Sequence, residues 1–157
     1  MNPSVYVETS ILSYLTAKPS RDLILAAQQQ LTLEWWNIRR GDFRVFISEF
    51  VIAECERGDK DAAARRLKEA QALPLLDVSD AVRHLAESFL HASGLPVKAE
   101  LDALHISVAT VHQLDFLLSW NCTHIANAEI QKALRKIARE QGYDLPTICT
   151  PNELIGR

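Results

Sequence analysis

Short apolar, strand-forming runs alternate along this chain with longer segments of helical periodicity, and this alternation limits the possible folds more than any other feature. Strands are predicted at 5–7, 43–47, 116–118 and 147–149, with a briefer extended piece at 75–78. A chain that passes from strand to strand through helices of ten or more residues builds a parallel sheet. We therefore expect an α/β fold in which helices cover both faces of the sheet.

The helical segments are delimited by residue types that start or stop a helix. Ser48 and Ser79 are predicted N-caps, whereas Gly58, Pro74 and the SGLP break at 93–96 are predicted to end helices. The predicted helices cover residues 10–17, 21–40, 48–57, 60–72, 79–92, 98–112 and 125–140.

Length and composition indicate one globular domain spanning residues 1–157. Hydrophobic residues make up 48% and charged residues 24% of the 157, which is the balance of an ordinary globular protein. No run approaches the ~20 apolar residues of a membrane span, and the N-terminus lacks the pattern of a signal peptide. Three cysteines without a CxxC pair favour a reducing compartment. We expect a cytoplasmic protein without a membrane partner.

The formal net charge of −3 counts mildly against a nucleic-acid partner, because nucleic-acid-binding domains are often basic. It does not exclude one, since acids clustered in a metal site lower the total charge without changing the binding surface.

An acid at the end of the first predicted strand is the first candidate for function. Glu8 directly follows the apolar run at 5–7, and Asn121 follows the strand at 116–118 by three residues. In parallel α/β sheets, ligands bind beyond the carboxyl ends of the strands. Both side chains are therefore predicted to lie at the ligand-binding edge.

Two further acids fall on helix faces that should be buried. At 100° per residue, Glu54 lies between Phe50 and Val51, and Asp102 lies on the same face as Ile106. Isolated buried carboxylates destabilise a fold by several kcal/mol or become protonated. Convergence on a divalent cation removes that cost, and oxygen ligands without His or Cys suit Mg²⁺ or Mn²⁺.

Each acid also has a simpler interpretation. A carboxylate on an apolar helix face is often partly exposed, a cap or half of an ion pair, and Glu8 could cap the helix after it. The metal hypothesis gains weight because three such acids occur together.

Four segments in this order, YVETSIL, SEFVIAEC, LDALHISVA and FLLSWN, resemble the PIN-domain family of metal-dependent ribonucleases. That family includes the VapC-like toxins of toxin–antitoxin pairs. The resemblance covers nearly the whole chain and implies a three-layer α/β/α sandwich with a central, mainly parallel sheet of four to five strands. It also implies that acids at the carboxyl edge hold Mg²⁺ or Mn²⁺ for the hydrolysis of RNA.

The resemblance assigns roles residue by residue. Glu8, Glu54 and Asp102 match the catalytic, metal-binding acids, and Asn121 matches a fourth metal position. The family usually has Asp at positions 8 and 121. Here Glu8 is longer than Asp by one methylene and Asn121 is neutral. With three negative charges in place of four, a second metal ion is less expected. The matching hydroxyls, which orient a ligand or a water, are Thr9, Ser10 and Ser119.

Candidate RNA contacts lie after the fourth strand. Spacing of i, i+3, i+4 and i+7 places four cations on one helix face, where they either contact phosphates or form a solvated surface. Trp120 either stacks on a base or packs. The four cations are Lys132, Arg135, Lys136 and Arg139.

Other side chains are less informative. His105, one turn after Asp102, either supports a ligand or is simply hydrogen-bonded, and Cys122 and His124 lack zinc-site spacing. The resemblance implies that the chain could form a dimer, and Trp35 and Trp36 could serve such a dimer surface.

The function predicted from these observations is that of a divalent-metal-dependent endoribonuclease, the toxin of a toxin–antitoxin pair being one possibility. The resemblance implies RNA, an antitoxin protein and a second copy of the chain as partners. One alternative is a catalytically weakened relative that acts as a nucleic-acid-binding or protein-interaction module. Another is a different metal phosphohydrolase.

Overall fold

Five parallel strands form the centre of the computed structural model, which describes residues 1–92 and 95–156. Their order across the sheet is β3-β2-β1-β4-β5, and all four neighbouring pairs are parallel. The strands are β1 (Ser4–Val7), β2 (Arg44–Ser48), β3 (Leu75–Leu76), β4 (Phe116–Leu118) and β5 (Thr147–Cys149).

Helices flank the sheet, as the alternating sequence pattern predicts. They are α1 (Thr9–Thr16), α2 (Leu23–Glu34), α3 (Glu49–Cys55), α4 (Lys60–Ala70), α5 (Asp80–Ala92), α6 (Glu100–Val111) and α7 (Ala128–Glu140). One group packs α1 against α2 and α4, and another packs α5 against α6 and α7. The predicted α/β fold with a mainly parallel sheet of four to five strands is confirmed.

The longest predicted helix, 21–40, is not one regular helix. After α2 the chain continues as a π-helical turn, Trp35–Arg39, and a 3₁₀ turn, Arg40–Asp42. Further 3₁₀ turns are Val97–Ala99 and Pro151–Leu154. The break predicted at 93–96 lies partly outside the described residues.

The middle strand β1 carries the core. Val5, Tyr6 and Val7 are completely buried, as expected for a strand with neighbours on both sides and helices on both faces. The order of the strands reverses between β1 and β4, which is where open α/β sheets bind ligands. At that position the backbone N–H of Glu8 donates to the Leu118 carbonyl oxygen at 3.1 Å, so the first residues after β1 and β4 are neighbours.

Polar side chains begin several helices. Ser48 occupies the N-cap position of α3 as predicted, but it makes no capping hydrogen bond, because its Oγ lies 2.7 Å from the Tyr6 hydroxyl. Side-chain caps are instead made by Asp22 at α2, Asp59 at α4 and Asn127 at α7.

Both tryptophans of the π-helical turn are buried within the chain. Trp35 is completely buried and Trp36 is 8% exposed, and the ring of Trp35 lies 5.7 Å from that of Phe43. The interpretation of these two side chains as a dimer surface is therefore wrong. In the described part of the chain, no helix has the length and apolar character that crossing a membrane requires.

At the amino edge of the sheet, Asp115 joins β1 to β4. Its Oδ2 accepts hydrogen bonds from the Ser4 backbone N–H at 2.8 Å and from the Ser4 hydroxyl at 2.9 Å. These two hydrogen bonds, helped by the charge of Arg44, hold the pKa of Asp115 below its usual value. The ionised carboxylate therefore stabilises the folded state.

We expect Asp115→Asn to lower the free energy of unfolding at neutral pH by about 0.5 kcal/mol, the low end for one hydrogen bond, because Asp115 is exposed and solvent screens its charge. A depressed folded pKa contributes stability above the unfolded pKa of about 4, and that stability is lost as the pH falls through the folded value. Urea unfolding from neutral pH down to about pH 2 should therefore show the variant and the wild type converging. Asp144→Asn, at an exposed carboxylate nearby, is the control, and a difference that persists in acid would contradict this account.

Candidate metal centre

Glu8 lies at the carboxyl end of β1 with only 5% of its surface exposed. It is the N-cap of α1, and its Oε2 accepts a hydrogen bond from the Ser10 backbone N–H at 3.1 Å. Its Oε1 accepts from the hydroxyls of Ser10 at 2.5 Å and Ser119 at 2.6 Å. The capping role that the sequence suggested is therefore present, together with two hydroxyl contacts that a cap does not require.

Glu54 reaches the same edge from α3. Its Oε1 accepts a hydrogen bond from the Thr9 hydroxyl at 2.9 Å and shares a second hydrogen bond with His105 Nε2. Among the described residues, none donates to its Oε2. One oxygen of this carboxylate thus has two hydrogen-bond partners, while the other has none within residues 1–92 and 95–156.

The pKa of Glu54 reflects opposing influences. Burial raises it, but the hydrogen bonds with His105 and Thr9 and the charge of Arg57 outweigh burial and lower the pKa below its usual value. The side chain is therefore an ionised acceptor at neutral pH.

Glu8, Glu54 and His105 form a close group. One potential ligand atom from each lies within 4.8 Å of the other two. In the described ranges, no lysine or arginine forms an ion pair with either carboxylate. Two carboxylates that close repel each other unless a cation or a proton intervenes, so the donor set fits a divalent cation bound largely by oxygen.

His105 connects this group to the core. It is completely buried, and its Nδ1 lies 2.6 Å from the hydroxyl of Tyr6, which in turn contacts Ser48 Oγ. Burial raises the pKa of Tyr6 well above its usual value, the hydrogen bond from Ser48 opposes that rise, and the charges of Glu8 and Glu54 add to it. Tyr6 is therefore a neutral phenol that still has its proton to donate.

Asp102 lies beside the close group and not within it. Its Oδ2 accepts from His124 Nδ1 at 2.9 Å, and its Oδ1 accepts from the amide of Asn121 at 3.2 Å. The backbone N–H of Asn121 donates to Ser119 Oγ at 2.9 Å. Through Asn121 and Ser119, Asp102 is linked to Glu8 along the carboxyl edge.

Asn121 has its amide oxygen engaged within its own loop. That oxygen accepts from the backbone N–H groups of Thr123 at 3.2 Å and His124 at 3.1 Å. Its amide nitrogen faces Asp102. The metal role predicted for Asn121 stays a prediction.

Three side chains of this region were missed by sequence reasoning: Tyr6, Ser48 and His124. A hydroxyl in the middle of a buried strand needs a partner, so Tyr6 carried a signal, but nothing in the sequence indicated which partner. The sequence around His124 shows only that zinc-site spacing is lacking, and it gives no sign that His124 pairs with Asp102.

The candidate RNA contacts are Trp120, next in sequence to Ser119, and the four cations of α7. The Trp120 ring stacks on Tyr14 with centroids 5.8 Å apart, and its indole N–H donates to Thr32 Oγ1 at 2.7 Å. On α7 the four predicted cations are all exposed, and no ion pair engages them in the part of the chain that the structure describes. These cations, with Glu140, line an open depression.

A family model described as the PIN domain matches residues 5–121, which include all three predicted acids and Asn121. No curated protein matches the chain. PIN domains are generally nucleases that use divalent metal ions, and the oxygen-rich group at Glu8 and Glu54 fits such an ion. The chain therefore belongs to the PIN domain family.

Proposed function

We propose that this protein is a divalent-metal-dependent endoribonuclease that cleaves RNA phosphodiester bonds at the edge formed by Glu8, Glu54 and Asp102. The observation that carries this proposal is the pair Glu8 and Glu54, two carboxylates with potential ligand atoms within 4.8 Å, neither of which forms an ion pair with a lysine or arginine among the described residues. Glu8 directly follows β1, and the strand order of this PIN domain reverses between β1 and β4.

Counting hydrogen bonds identifies the oxygens that remain for an ion. A carboxylate oxygen has two lone pairs. Both are used on Glu54 Oε1 and on Glu8 Oε1, whereas Glu8 Oε2 and each oxygen of Asp102 accept one hydrogen bond. The ligand atoms we propose for Mg²⁺ or Mn²⁺ are therefore Glu54 Oε2 and Glu8 Oε2, while Asp102, which lies outside the close group, keeps a free lone pair on each oxygen.

A divalent cation held by these oxygens lowers the pKa of a water and neutralises charge on a phosphate. The residues of the chain supply the geometry. Ser10 and Ser119 hold Glu8, Thr9 and His105 hold Glu54, and Asp102 keeps free lone pairs that can accept a proton from the attacking water. By family resemblance, the products carry a 5′-phosphate and a 3′-hydroxyl.

The cationic face of α7, defined as Lys132, Arg135, Lys136 and Arg139, is the surface proposed to bind the RNA backbone. These side chains span about 10 Å along the helix at 1.5 Å per residue. α7 follows the loop that carries Asn121, so this face leads away from the carboxyl edge. A binding surface that contacts only phosphates positions a strand without reading its sequence.

Within this proposal, the toxin role, an antitoxin partner and a homodimer rest on family resemblance alone. The second candidate function is a nucleic-acid-binding or protein-interaction module without catalysis. The observation that favours it is Asn121, which is neutral where the family commonly has Asp and whose amide oxygen is already shared by two backbone N–H groups.

We expect Glu54→Gln to abolish most Mn²⁺-dependent cleavage of a single-stranded RNA. A ligand to a catalytic ion contributes several kcal/mol, so the rate should fall by about 10²-fold or more. The measurement is single-turnover cleavage of an end-labelled RNA, with Mn²⁺-induced thermal stabilisation recorded in parallel. Glu49→Gln removes an exposed carboxylate from the same helix and should change neither readout.

The outcomes separate the candidate functions. Wild-type cleavage by Glu54→Gln and by Asp102→Asn would overturn the catalytic proposal. RNA binding without Mn²⁺-dependent cleavage by the wild type would support the binding module. Hydrolysis of a small phosphate ester but not of RNA would indicate a different metal phosphohydrolase.

We expect the double variant Arg135→Glu/Arg139→Glu to bind RNA more weakly and with a smaller dependence on salt. Each lost phosphate contact should reduce the slope of log K against log salt by about 0.7 for a single strand. Fluorescence anisotropy over a salt series measures both quantities. Lys68→Glu, an exposed cation on α4, is the control. An unchanged slope would mean that the cationic face of α7 is only a solvated surface.

A further inference from the structure

His105 offers one of the three potential ligand atoms of the close group with Glu8 and Glu54, and its Nδ1 faces Tyr6, which leaves Nε2 as the nitrogen on the side of the carboxylates. The same nitrogen also forms a direct hydrogen bond with Glu54 Oε1. One nitrogen cannot do both, because a protonated Nε2 has no lone pair for a metal. Two arrangements of the site are therefore possible, and they differ in whether the ion is bound by oxygens alone.

The position of one proton separates the two arrangements. A carboxylate that serves as a metal ligand has no proton of its own, so the proton in the bond between His105 and Glu54 is carried by Nε2. In a neutral ring, Nδ1 is then an acceptor, and the group facing it is the Tyr6 hydroxyl at 2.6 Å. The Tyr6 oxygen can accept from the Ser48 hydroxyl at 2.7 Å. In that arrangement the polar side-chain atoms of His105, Tyr6 and Ser48 all have hydrogen-bond partners.

We propose that His105 is a positioning residue, which donates from Nε2 to Glu54 Oε1 with its tautomer selected by Tyr6 and Ser48 and does not itself bind the ion. The inference rests on the proposed function, since it presupposes an ion at Glu8 and Glu54. The bond from His105, with that from Thr9, holds one oxygen of Glu54 and leaves the other directed to the ion.

The surroundings of His105 support a positioning role. The imidazole is completely buried, with the ring of Tyr6 5.7 Å away and that of Phe50 6.4 Å away. These contacts restrict rotation of the ring about its bonds. A donor fixed in this way orients an acidic ligand before the ion arrives, which is how hydrogen-bonded neighbours raise metal affinity.

The deciding experiment detects nitrogen bound to the ion directly. Mn²⁺ is added to the 157-residue chain, and electron spin-echo envelope modulation is recorded for the wild type, His105→Gln and His124→Gln. We expect no modulation from a directly coordinated ¹⁴N in any of the three. A coordinated ¹⁴N signal that is present in the wild type and in His124→Gln but lost in His105→Gln would overturn the inference.

A series of Mn²⁺ affinities tests positioning independently of activity. His105→Gln keeps an N–H donor at a similar reach and should retain most of the affinity, whereas His105→Ala should bind Mn²⁺ about 10–100-fold more weakly. Tyr6→Phe, which removes the group that selects the tautomer, should fall between them. Equal losses in His105→Gln and His105→Ala would contradict a positioning role.

Mn²⁺ binding by the wild type distinguishes failure of the proposed function from failure of this inference alone. Absence of saturable Mn²⁺ binding by the wild type would overturn both the proposed function and this inference. Saturable binding that shows coordination by His105 nitrogen would overturn only the inference. Circular dichroism monitors the fold of each variant, and if His105→Ala fails to fold, the spin-echo spectra of the wild type and His105→Gln decide.

Discussion

The burial of a carboxylate at the end of the central strand is the constraint on which the rest of the site depends. Glu8 is 5% exposed, and an uncompensated buried charge would cost several kcal/mol. Compensation comes from two hydroxyls and one backbone N–H, supplied by Ser10 and Ser119. These donors come from the ends of adjacent parallel strands, so the sheet itself brings them to the charge.

A second carboxylate, Glu54, lies close to Glu8, so the two negative charges repel each other. Glu54 is held by Thr9, the residue after Glu8, and by His105 from α6. The strand end, α3 and α6 are thereby tied to one another through a single oxygen. Satisfied polar networks of this kind specify one arrangement of a core, because losing any partner leaves a buried group unpaired.

The neutral side chain of Asn121 affects the electrostatics around Asp102. An amide can donate to Asp102, as the 3.2 Å contact shows, whereas a carboxylate in that place would repel it. His124 adds a second donor to the same acid. Asp102 is consequently oriented by neighbours that carry no negative charge, and the cluster needs less positive charge to be stable.

Much of the fold and part of the site could be read from the sequence. Alternating strand and helix patterns determined the parallel α/β architecture, because the periods of 2 and 3.6 residues are local properties. An acid directly after a buried strand, at Glu8, and acids on apolar helix faces, at Glu54 and Asp102, stood out for the same reason. Helix ends were less accurate: the π-helical turn at 35–39 replaced the predicted regular helix, and Trp35 and Trp36 turned inward.

Only the tertiary structure decided which of these groups touch. It placed His105 against Glu54 and Tyr6, and it set Asp102 beside the close group and not inside it. Contacts of the site join residues up to 111 positions apart, and their distances depend on strand order, helix rotation and side-chain rotamer together. The sequence by itself determined that acids would lie at one edge of the sheet, because that follows from local pattern. Which oxygens remain available for an ion depends on hydrogen bonds between distant segments, so only the folded chain could determine it.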